Sequence, residues 1–191
     1  MVSRLSIALI ALACFMVSCA PTKVWESKPA IQEALNKQFS VSLEPLREGD
    51  TYFSLFRITV QNNTDADLEI DWNKTRYIHN GRPISGFAFQ GIEPSDLKDG
   101  TIPSDTVPAG DSFRKDIAPT NLIAFKPLRD HTPEAHSGIS AGMIPQGENG
   151  VLLVMRQNGK EIRQEVSVRI REVSTKGGVS HSEVSQSRMS R

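Results

Sequence analysis

From Val151 to Val173 the chain reads VLLVMRQNGKEIRQEVSVRIREV. Two strand-like runs meet at Asn158-Gly159. A two-residue Asn-Gly connection suits the positive φ that a type I′ turn needs at both positions when it joins antiparallel strands. Beyond the turn, Ile162, Val166, Val168 and Ile170 fall on one face. Arg163, Glu165, Arg169 and Arg171 fall on the other, giving the period of two that a half-buried strand requires. The stretch is therefore expected to be a hairpin of Val151–Gln157 with Glu161–Val173.

Upstream, the same periodicity recurs in shorter pieces. Phe39, Val41 and Leu43 alternate with serines until Pro45, where the run is expected to stop. Within Thr51–Asn62, Phe56, Ile58 and Val60 oppose Arg57, Thr59 and Gln61. Asn62-Asn63-Thr64-Asp65 is dense turn chemistry. In DLEIDW, Leu68, Ile70 and Trp72 point inward and Asp67, Glu69 and Asp71 outward. Thr75–His79 and Ile84–Phe89 flank a second Asn-Gly pair, Asn80-Gly81. Short strands fit Thr101–Val107 and Ser112–Ala118, around Pro108-Ala109-Gly110-Asp111. Seven of the eleven prolines lie between Gly91 and Gly150, and Lys126–Asn149 reads as a long loop. Ala30–Lys37 fits either two helical turns or the run-in to a strand. Seven to nine alternating strands with little helix predict an all-β fold, an antiparallel β-sandwich over residues 38–173. Residues 174–191 are serine-rich and nearly devoid of apolar side chains, and are expected to be a disordered tail.

Composition narrows the function classes. The chain has 191 residues, 38% hydrophobic and 23% charged, which suits one domain with appendages. Lys and Arg number 22, as do Asp and Glu, and Arg4 is the one charged residue before Cys19. A chain starting at Cys19 therefore has a net charge of −1, without the basic excess of a nucleic-acid binder. The two cysteines are Cys14 and Cys19.

Residues 1–18 read as a leader. Arg4 supplies the positive start, and Ile7–Val17 is an apolar run of 11 residues. As a helix it would be about 16 Å long, too short for a hydrocarbon core of roughly 30 Å and suited to a signal peptide. Its ending, Met16-Val17-Ser18-Cys19, resembles the lipobox of bacterial lipoproteins. Met16 departs from the commoner leucine, and Ser18 is a less frequent small residue. The resemblance implies diacylglycerol transfer to the Cys19 thiol, cleavage before Cys19 and acylation of its new amino group. Ala20, rather than aspartate, implies the outer membrane over the inner in enterobacterial-type sorting. Loss of Cys14 with the leader and lipidation of Cys19 would leave neither a free thiol nor a disulfide. Residues 19–37 are then the lipidated cysteine and its tether, in which Trp25 is expected to be exposed.

The segment Phe56–Asn80 resembles the start of Ig-like extracytoplasmic domains: a strand, an Asn-rich turn, then a strand with a core tryptophan. That resemblance covers about a seventh of the chain and carries no particular activity with it.

Candidate sites are sparse. His131, Glu134 and His136 share a loop, but cysteine is lacking and a structural zinc site wants four fixed ligands, so solvated side chains are expected there. Asp65, Asp67, Glu69 and Asp71 are dense, yet strand alternation spreads the last three over a flat face unlike a calcium loop. That row is expected to be solvated, with room for pairing to an Arg163/Arg169/Arg171 row in the same sheet. Gly138-Ile139-Ser140-Ala141-Gly142 has the Gly-x-Ser-x-Gly spacing, but with little helix expected there is no strand-to-helix turn to expose its serine as a nucleophile, and no phosphate-binding glycine loop occurs. No catalytic residue, metal or cofactor is therefore expected. Phe125, Ile139, Met143 and Ile144 are the candidate partner contacts, with packing onto the core as the competing expectation.

These features predict a non-enzymatic, membrane-anchored envelope lipoprotein that binds another envelope protein or supports an assembly. A small-ligand or glycan binding module is the second possibility, and a hydrolase the third. Oligomeric state is not encoded in any of these features.

Overall fold

A computed structural model describes residues 22–49, 52–93, 96–97, 102–126 and 138–175. The leader of residues 1–18, Cys19, His131, Glu134, His136 and the tail from residue 176 lie outside the described residues. The domain is Val24–Val173. Its strands are β1 (Thr22–Lys28), β2 (Gln32–Leu35), β3 (Phe39–Glu48), β4 (Tyr52–Asn62), β5 (Leu68–Ile70), β6 (Arg76–His79) and β7 (Arg82–Ser85). There follow β8 (Phe87–Phe89), β9 (Asp105–Val107), β10 (Ser112–Pro119), β11 (Ile123–Lys126), β12 (Gly138–Ala141), β13 (Gly147–Gln157) and β14 (Lys160–Thr175).

The fold is an antiparallel β-sandwich. One sheet runs β1-β14-β13, and β13 then pairs with β6 near its start and β5 near its end. β7 continues from β6, and β9 from β5. The other sheet is β2-β3-β4-β10-β8, and β11 and β12 form a separate ribbon. Fourteen described strands exceed the seven to nine expected, because several of the elements are only three or four residues long.

Alternation explains the core. On β4, Phe56, Ile58 and Val60 are fully buried, while Arg57, Thr59 and Gln61 keep part of their surface. They meet Leu68, Ile70, Tyr77, Val151, Leu153, Met155, Val166 and Val168 from the facing sheet in one apolar cluster. Each such side chain, withdrawn from water, stabilises the sandwich by roughly 1.5–3 kcal/mol before ordering entropy is subtracted.

Both Asn-Gly hairpins form. Asn80 and Gly81 have φ of 48° and 75°, and Asn158 and Gly159 have 51° and 75°, the left-handed pair of a type I′ turn. β13 and β14 then stay in register from Gln157↔Lys160 to Gly147↔Ile170. A Cβ at Gly159 would meet nothing within 4 Å, so only the backbone conformation opposes a side chain there. Gly159→Ala is therefore expected to destabilise the domain by about 1 kcal/mol, lowering the melting temperature by roughly 2–4 °C. An unchanged melting temperature would contradict this origin of the turn's geometry.

Several expectations are corrected. β3 continues through Pro45 to Glu48, because β2 covers only Ser40–Leu43 and no strand on that side needs the missing N–H. Ile84–Phe89 is two strands rather than one: β7 stays on β6, and after Gly86 β8 joins β10 in the other sheet. The region expected to be a tether, residues 19–37, contains β1 and β2, and Ala30–Lys37 takes its extended alternative. Trp25 packs partly buried against the core instead of lying free. Lys126–Asn149 is not continuous loop, since β12 and the start of β13 fall within it.

Candidate functional site

The four expected contact residues do not form one patch. Phe125 and Ile139 are paired in register on the backbone of the β11–β12 ribbon. Met143 is 47% exposed. Ile144 is fully buried, with its amide donating to the Phe53 carbonyl at 2.8 Å, so it is a core residue and not a contact. Strand-like alternation past the ribbon turns Met143 outward and Ile144 inward, which removes Ile144 from any partner surface.

The acidic row has a different cationic neighbour from the one expected. β5 adjoins β13 rather than β14, which sets Glu69 opposite Arg156. The Arg156 guanidinium lies 3.5 Å from Glu69 and 3.6 Å from Asp71. Arg163 instead pairs with Glu161 and Arg171 with Glu26. Lys74 and Arg163 both donate to Glu161 and hold its carboxyl below the usual carboxylate range. Among the described residues no group of three or more His, Cys, Asp or Glu is placed to hold a metal ion.

Three polar arrangements emerge beyond the expected candidates. The first surrounds Lys115. Opposite Ile58 in the register, it points to the inner side of β10, an unusual place for a charge. Its Nζ lies 2.5 Å from Asp105 Oδ2 and 3.8 Å from the Phe89 ring centroid, with Phe113 and Trp72 at 5.5 and 5.6 Å. Trp72 Nε1 donates to the same Asp105 oxygen at 2.6 Å. The ammonium is thus both neutralised and caged by aromatic faces, an arrangement that locks β10 to β9 and leaves little freedom for nucleophilic chemistry. The signal was present in sequence: Lys115 shares the parity of Phe113 and Ile117.

The second is the buried Tyr77 hydroxyl, which donates to Asn149 Oδ1 at 2.5 Å. Burial raises the Tyr77 pKa, so its phenol remains a donor across the physiological range. His79 Nδ1 lies 3.3 Å from the same oxygen, and Asn80 Nδ2 lies 3.0 Å from His79 Nε2. Asn149 Nδ2 donates to the Pro145 and Gly147 carbonyls, which fixes the entry into β13.

The third is a cleft of about 370 Å³ beside β4 and β10, lined by Arg57, Gln90, Arg114, Lys115 and Asp116. Arg57 is held by a two-pronged pair to Asp116, at 2.8 and 2.9 Å, which raises the guanidinium's pKa further. Arg114 is exposed and has no hydrogen-bond or ion-pair partner among the described residues. An open cleft with one free guanidinium can meet a small anion, but it contains no nucleophile–base pair that would transform one.

The sheet edges offer a different kind of surface. Among the described residues β2 pairs with β3 alone, and no strand lies along its other side. Leu35 on β2 is 74% exposed, and Ile31 just before it is 47% exposed. The remaining edges are less suited to pairing. Pro83 interrupts β7, β8 and β9 have three residues each, and β1 carries Lys23, Glu26 and Lys28.

The chain matches no protein-family model and no curated protein.

Proposed function

We propose that this chain is a bacterial lipoprotein, lipidated on Cys19 and held outside the cytoplasm. Its Ig-like β-sandwich is non-enzymatic and docks another envelope protein along β2. The observation that carries the docking reading is the open β2 edge with its two exposed aliphatic side chains, Ile31 and Leu35. Such an edge offers unpaired N–H and C=O groups to an incoming strand, and the flanking side chains supply the apolar contact. The anchor reading rests on the order Arg4, apolar run, small residue and Cys19. The outer membrane is the site favoured by Ala20.

A second reading has one specific observation behind it. The cleft at Arg57, Gln90 and Arg114 would suit an acidic small ligand or a charged glycan, with Arg114 as the recognising cation.

Two measurements separate these ideas. Cys19→Ser is expected to move essentially all of the protein from the membrane to the soluble fraction and to abolish acyl labelling, since stable anchoring needs more than one chain. Unchanged membrane retention would refute the anchor. A photo-crosslinking residue at position 35 in intact cells is expected to yield a discrete adduct, and one at position 160, on β14 of the other sheet, is not. Adducts at neither position, with Arg114→Glu abolishing binding in a glycan screen, would favour the second reading.

A further inference from the structure

The geometry points to one end of the sandwich as a lipid-facing surface, with Arg47 and Met143 meeting the headgroups. This inference rests on the Cys19 anchor. The expected tether is mostly absorbed into β1 and β2, so Val24, where the domain begins, is only five residues from Cys19. Five residues reach at most about 18 Å when fully extended. The part of the domain around Val24 must therefore stay within that distance of the acylated residue.

The residues beside Val24 identify the end concerned. The carbonyl of Trp25 accepts a hydrogen bond from the Arg47 guanidinium. That guanidinium lies 4.8 Å over the Phe53 ring, and the Phe53 carbonyl takes the amide of Ile144. Met143, next in the chain, is one of the few large apolar side chains left exposed. Arg47 is also exposed. A flexible thioether and a guanidinium at the same end suit an interface of acyl chains and phosphates, the one entering the apolar boundary and the other reaching phosphate oxygens. Arg82, just past the Asn80-Gly81 turn, adds a cation with no partner among the described residues. That turn is at the same end, because the Asn80 amide donates to Glu148, adjacent to Gly147. Glu148 is occupied there by a hydrogen bond from Ser167 at 2.9 Å. The opposite end, at Asn158-Gly159, lies the length of β13 away, roughly 33 Å.

The test uses the full lipidated protein in vesicles of phosphatidylcholine with and without phosphatidylglycerol. With the Cys19 thiol acylated and Cys14 removed, a cysteine introduced by Gln146→Cys or Lys160→Cys takes a single fluorophore. Spin-labelled headgroups are expected to quench the label at 146 several-fold more than the label at 160. Met143→Asp combined with Arg47→Glu should lower the quenching at 146, most on anionic vesicles. Equal quenching at the two positions, in protein that floats with the vesicles and carries its acyl mass, overturns the orientation alone. Protein that lacks the acyl mass and does not float overturns the anchor and, with it, this inference.

Discussion

Trp72→Ala is expected to destabilise the domain by about 3–5 kcal/mol, enough to lower its melting temperature by roughly 10 °C. Trp72 is only 1% exposed, and its ring lies 5.0 Å from that of Phe89 and 6.4 Å from that of Phe113. Alanine would leave a void between the sheets and remove the donor to Asp105. It would also remove one wall of the Lys115 cage. Trp72→Phe retains a ring and should recover about half of the loss, leaving the missing indole N–H as the remainder. Thermal unfolding followed by circular dichroism checks both, with Trp25 fluorescence as a second probe in either variant. A melting temperature within about 2 °C of the parent for Trp72→Ala would show that Trp72 is not the core element argued here.

Asn62→Leu is the second large effect, at about 3 kcal/mol of destabilisation. Asn62 is fully buried, and its side chain joins three segments. Nδ2 donates to the carbonyls of Ala66, Val107 and Pro108 at 2.8, 3.1 and 3.1 Å, and Oδ1 accepts from the Thr64 amide and hydroxyl. Leucine fills the same volume but deprives these buried groups of partners, and each unsatisfied group costs roughly 1–3 kcal/mol. Asn62→Asp separates size from hydrogen bonding. At neutral pH it sets a carboxylate against three carbonyls, so it should be at least as damaging as leucine. Part of that loss should return below the ordinary carboxylate range, where protonation restores one donor. Chemical denaturation at neutral and acidic pH provides the measurement. Equal stability of all three proteins would remove Asn62 from the role of junction between β4, β9 and the turn after β4.

Which features were legible follows from how far apart the deciding partners lie in the chain. Asn158-Gly159 and Asn80-Gly81 carry their instruction locally, and parity around Ile58, Leu68 and Trp72 assigns each side chain to a face without knowledge of any neighbour. The antiparallel sandwich could be read from those alone. β1 could not, because TKVWESK is an edge strand with only a partial apolar face and its place depends on β14, over a hundred residues later. The outer face of the acidic row follows from alternation, but its counter-charge depends on whether β13 or β14 comes alongside. Lys115 was readable as an anomaly of parity; its cage was not, since Trp72, Phe89 and Asp105 come from three separate segments. Of the candidate contacts, Met143 stays at the surface and Ile144 does not, a difference set by the amide of Ile144 bonding to Phe53. The Cys19 reading draws on leader chemistry rather than on the domain.

The pairing of β1 with β14 has a consequence for biogenesis. When the amino terminus emerges first, from a ribosome or a translocation pore, residues 24–28 wait for residues 160–173 before their sheet can close. Contacts of such high sequence separation give a large contact order, and domains of this kind acquire their native state in milliseconds to seconds rather than microseconds. Folding to completion is therefore a late event for this chain, and truncating β14 should strip β1 of its neighbour and expose Trp25.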